Sequence, residues 1–64
     1  MIQFTQYLNH GFKLRLKESE GWNGMVLQIS DTEKEEWDLD IRMSLGEFRN
    51  FASCVKALQS YLEG

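Results

Sequence analysis

The chain has 64 residues, with seven basic and ten acidic side chains, a formal net charge of −3, one cysteine and one histidine. That length admits one domain, residues 1–64, and a domain this small buries only about 60% of its unfolded surface. A lone cysteine excludes an internal disulfide, one Cys and one His are too few for a zinc centre, and the acidic balance disfavours non-specific phosphate binding.

No apolar run approaches the ~20 residues that span a bilayer, and the first residues do not read as a secretory leader. With no paired cysteines, the expected compartment is the cytoplasm. Nothing in the pattern asks for a cofactor, a metal or a membrane. Small domains without disulfides or metals commonly gain stability from oligomerisation, so a homodimer is expected.

Met1 to Asn9 suits either a strand, with Ile2, Phe4, Gln6 and Leu8 alternating against Gln3, Thr5 and Tyr7, or a short helix over Thr5–Leu8. The strand is preferred, because Asn9-His10-Gly11 reads as a turn leading into the next strand. Phe12, Leu14 and Leu16 then alternate with Lys13, Arg15 and Lys17, an amphipathic strand with three bases on its wet side. Residues Glu18 to Gly24 connect it onward. Asn23-Gly24 favours a tight hairpin, but a two-residue loop there places Glu18 and Glu20 on the apolar face. A bulge, or a longer loop starting near Glu18, avoids that.

Met25, Leu27 and Ile29 form the inward row of the next strand. A five-residue loop, Asp31 to Glu35, is expected to pair Ile29 with Trp37, Leu27 with Leu39 and Met25 with Ile41, keeping one face apolar. Trp37, Leu39, Ile41 and Met43 alternate with Asp38, Asp40 and Arg42, so Trp37 reads as core.

Ser44 sits three residues before Glu47, a capping box, and Met43 and Phe48 flank it at the spacing of a hydrophobic staple. A helix follows. Its apolar positions Phe48, Phe51, Ala52, Val55, Leu58 and Leu62, widened by Cys54 and Tyr61 on one shoulder and Leu45 on the other, cover roughly 200°, against the ~100° one sheet contact needs. Such width points to a second body, read here as another copy of the chain, with Phe51, Cys54, Leu58 and Tyr61 at the dimer interface. The expected fold class is α+β: an antiparallel meander of three or four strands with one C-terminal helix packed on one face, in the order β-β-β-β-α.

The stretch Asp40–Phe51, DIRMSLGEFRNF, together with this element order, resembles the PC4-like single-stranded-DNA-binding domains of transcriptional coactivators. The resemblance implies a dimer through the helices and a basic, aromatic sheet surface for unpaired DNA, with Lys13, Arg15 and Lys17 in the basic part. Asp38 and Asp40 on the wet side of the last strand depart from that pattern.

Asp31, Glu33, Glu35, Glu36, Asp38 and Asp40 gather in one stretch against a single Lys34. Such a run is either a solvated hairpin that resists edge-to-edge pairing or an acidic surface for a basic protein partner, one that ordinarily holds nucleic acid. Trp22, in a loop, is either a lid on the core edge or a partner anchor. The three bases of the second strand are spaced at ~6.6 Å, which suits phosphates of a single strand, but no aromatic platform is expected on their face. Cys54 reads as a small buried hydrophobe, and no nucleophile–base pair is apparent, so no catalysis is expected. The leading expectation is a non-enzymatic homodimeric regulator or inhibitor that binds a protein through its acidic hairpin. The alternatives are a single-stranded nucleic-acid binder and a structural assembly subunit.

Overall fold

The computed structural model describes residues 2–64; Met1, the first residue of the ambiguous opening segment, lies outside the described residues. Strands β1 (Gln3–Tyr7), β2 (Phe12–Glu18), β3 (Gly24–Asp31) and β4 (Leu39–Ser44) form one antiparallel sheet in sequential order, and a single helix, α1 (Leu45–Glu63), follows. This is the α+β meander that the alternating patterns require, and the opening segment is a strand. A 3-10 turn, Asn9–Gly11, joins β1 to β2. His10 and Gly11 both take positive φ there, at 70° and 84°.

The β2–β3 connection is the longer of the alternatives. Glu18 pairs with Met25, and residues 19–23 form the loop. Glu18 sits on the apolar side of β2 but at its end, where the backbone N–H of Ile2 donates to its Oε1 at 3.0 Å. Gly24 opens β3 instead of completing a turn. Trp22 and the Met43 carbonyl lie so close to it that a Cβ would strike both.

The β3–β4 register differs from the expected one by two residues. Ile29 pairs with Leu39, Leu27 with Ile41 and Met25 with Met43. The loop spans residues 32–38, two longer than expected, and Trp37 is outside the strand. A slip of two keeps every strand residue on its expected face, so alternation does not distinguish the two registers.

α1 begins as its sequence dictates. The Glu47 N–H donates to Ser44 Oγ at 3.2 Å, and the Ser44 N–H donates to Glu47 Oε1 at 3.0 Å, closing the capping box. The helix meets the sheet chiefly at β3 and β4. Phe48 and Ala52 are half-buried, and no residue of α1 is buried. Cys54, expected inside, is exposed, as is every residue of α1 beyond Ala52.

Among the described residues, the only buried apolar side chains are Met25 and Val26, each 7% exposed. The other buried residues are polar: Lys13, Gln28 and Ser30. By strand alternation and pairing all three belong to the wet face, as does Val26. The single chain therefore closes over its wet face and leaves its apolar face open.

Candidate functional site

The wet face is built by a ladder across three strands. Arg15, Gln28 and Asp40 stand in register on β2, β3 and β4. Arg15 Nε donates to Gln28 Oε1 at 2.8 Å, and Gln28 Nε2 donates to Asp40 Oδ1 at 2.8 Å. The middle amide thus bridges a cation and an anion, and its burial is matched by bonds at both its oxygen and its nitrogen.

Trp37 lies over this face, not in the core. Its ring centroid is 4.6 Å from Lys13 Nζ and 4.5 Å from Arg15 Cζ, inside the range of cation–π attraction. Lys13 also donates to the Lys34 carbonyl oxygen. An aromatic ring and a backbone oxygen thereby replace the water that this buried ammonium loses.

These contacts brace the β3–β4 loop. The Thr32 N–H donates to the Gly11 carbonyl at 2.8 Å, the Lys34 N–H to the Asp31 carbonyl at 3.2 Å and the Asp38 N–H to the Ile29 carbonyl at 3.1 Å. Ser30 Oγ donates to the Glu36 carbonyl at 2.8 Å, and Asp31 Oδ1 accepts the Glu33 N–H at 2.9 Å. Of the six acidic residues, Asp31 is tied into the turn, Asp38 pairs with Lys34 at 3.0 Å and Asp40 serves the ladder. The hydrogen bond and charge of Asp38 raise the Lys34 ammonium above its ordinary value. Glu33, Glu35 and Glu36 are exposed, and no cation among the described residues pairs with them.

The three bases of β2 do not act as a free row. Lys13 is buried, Arg15 is held by Gln28 and Trp37, and Lys17 lines a concavity of about 310 Å³ with Trp22, Val26, Asp40 and Arg42. Trp22 is 40% exposed there, part lid over Gly24 and part wall of the concavity. The expectation that no aromatic group lies on this face is thus overturned, since Trp37 stacks on it. Phe51, Cys54, Leu58 and Tyr61, placed at a dimer interface by the sequence, lie exposed along α1.

Gln28, Ser30 and Trp37 are the residues that sequence reasoning missed. Gln28 and Ser30 read as ordinary wet positions, and no local signal marks a tryptophan that leaves its strand. Among the described residues no three His, Cys, Asp or Glu side chains gather in a group able to hold a metal ion. Among the described residues no helix is long and apolar enough to cross a membrane. No family model, curated protein or solved structure matches the chain.

Proposed function

We propose that the chain is a non-enzymatic homodimeric binding module that presents its β3–β4 loop to a basic protein surface, of the kind that ordinarily holds nucleic acid. The observation that carries this reading is the contrast within the loop. Its backbone is pinned by Ser30, Lys13 and Gly11, while Glu33, Glu35 and Glu36 stay exposed. A rigid loop loses less entropy on binding than a mobile one, and charge of one sign held in place steers a basic partner. Carboxylates so spaced can stand in for phosphates against Lys and Arg.

The test is capture of partners from lysate by wild type and by a Glu33→Gln, Glu35→Gln, Glu36→Gln variant. The variant leaves the Lys34–Asp38 pair and the ladder intact. Loss of basic, nucleic-acid-handling proteins from the captured set is the expected result, and an unchanged set removes the proposal.

A second reading, direct binding of single-stranded nucleic acid as the PC4-like resemblance implies, is favoured by Trp22 beside Lys17 and Arg42 in the wet-face concavity. Base stacking on an aromatic ring with nearby cations is how such strands are held. Its test is oligonucleotide affinity across salt for wild type and for Lys17→Ala with Arg42→Ala. An affinity that falls steeply with salt, and falls further in the variant, supports it. Absence of binding at low salt ends it.

A further inference from the structure

We infer that the C-terminal half of α1 seats in an apolar groove on the sheet of a second copy, so that two chains exchange helix ends about a two-fold axis. The inference rests on the homodimer reading above and names the surfaces that dimer uses.

The first observation is the groove. Beside the start of α1, the side chains of Phe4, Leu16, Met25, Leu45 and Phe48 line an open apolar trough of about 340 Å³. It runs from β1 to β3. Phe4 lines it beside Leu45 and Phe48 and is still 69% exposed.

The second observation is the helix. Beyond Ala52 every residue of α1 is exposed, including Val55, Leu58, Tyr61 at 82% and Leu62 at 72%. The segment from Val55 to Leu62 rises about 10 Å along the axis. The groove crosses two strand spacings of about 4.8 Å each, nearly the same length. Helix end and trough are both apolar and fit each other in size.

The third observation is area. The chain exposes 5316 Å², whereas a compact protein of 7.5 kDa exposes roughly 4,250 Å². The excess, on the order of 1,000 Å², is what one partner contributes to a standard interface of ~800 Å² a side. A pairing through the helices alone leaves Phe4 in water. A pairing of sheet edges leaves Leu58 and Leu62 in water. Exchange of helix ends covers both patches twice, once on each copy, and closes without leaving a free end, as an isologous interface must.

The experiment uses the full chain with Cys54→Ser. One variant carries Leu62→Cys, a second, differently tagged, carries Phe4→Cys. The two are unfolded, mixed, refolded at low micromolar concentration and oxidised. The mixed disulfide between position 62 of one chain and position 4 of the other is expected to exceed either homodisulfide about tenfold, because thiols held in contact reach millimolar effective concentration. If sedimentation equilibrium finds a monomer, both this inference and the homodimer reading fall. If it finds a dimer in which the 62–62 disulfide dominates, the exchange falls and the homodimer stands. Where Phe4→Cys fails to fold by circular dichroism, Ile2→Cys at the exposed rim of the same groove replaces it, and the same readings decide.

Discussion

Lys13 is the residue on which the wet face turns. Its side chain is buried, and an ammonium removed from water needs compensation from fixed dipoles. The Lys34 carbonyl and the Trp37 ring supply it, and in return Lys13 ties the loop to the sheet. A double-mutant cycle with Lys13→Met and Trp37→Leu should therefore return a coupling of about 1–2 kcal/mol in urea unfolding. Additive effects would mean that the ring merely shelters the amine. Gly24 is the second constrained position. An alanine there meets the Trp22 ring, which can swing away, and the Met43 carbonyl, which belongs to the paired strand and cannot. Gly24→Ala is expected to cost about 1–3 kcal/mol, the range for overpacking. Adding Trp22→Ala should recover only part of that, and full recovery would show that the backbone contact is harmless.

At the scale of elements, local rules decided what was legible. The capping box lies within four residues and needs no tertiary partner, so Ser44 and Glu47 announce the helix start before any fold is known. Alternation over β2, β3 and β4 likewise assigns faces, because period two survives any even slip. It is blind to loop length for the same reason. Ile29 opposite Trp37 and Ile29 opposite Leu39 satisfy the pattern equally, and the choice between them falls to the loop contacts of Ser30, Lys13 and Gly11. Once Trp37 leaves the strand its direction is no longer set by the pleat. The stacking on Lys13 and Arg15, and with it the burial of Lys13, therefore lay beyond the sequence. The acidic run of the loop was visible in the sequence. The division between its structural carboxylates, Asp31, Asp38 and Asp40, and its outward ones, Glu33, Glu35 and Glu36, was not.

The helix start also makes a pH prediction. The backbone N–H of Ser44, then its hydroxyl, lower the Glu47 carboxyl below its ordinary value of 4.5. A depressed folded-state value means that the stabilisation is complete above the ordinary glutamate range. It is lost as pH falls through the folded value. Stepping downward from pH 5, the urea midpoint of wild type should fall more steeply than that of Glu47→Gln, which cannot titrate there. Equal slopes would place the acid sensitivity elsewhere. Ser44→Ala, which removes the other half of the box, should cost about 1 kcal/mol at neutral pH.

The whole molecule departs from a compact globule in shape as well as in area. Its radius of gyration is 13.1 Å, where roughly 10.7 Å is ordinary for this length, and its extents are 37 × 33 × 17 Å. A sheet with a single helix along it has little interior, and the two buried apolar side chains among the described residues are too few to offset the conformational entropy of ordering some sixty residues. On the homodimer reading proposed above, the missing burial comes from association, and folding and dimerisation should be one process. Mass action then links stability to concentration: for a dimer that unfolds to two chains, each tenfold dilution removes about 1.4 kcal/mol per dimer. The thermal midpoint should therefore fall by several degrees over a hundredfold dilution. Leu58→Asp, which puts a charge on the exposed helix stripe, should yield a largely unfolded chain at concentrations where wild type is folded, instead of a stable monomer. A midpoint that ignores dilution, with Leu58→Asp folding as well as wild type, would show that this thin sheet stands by itself. Unfolding curves at three concentrations, followed through Trp22 and Trp37 fluorescence, make the measurement.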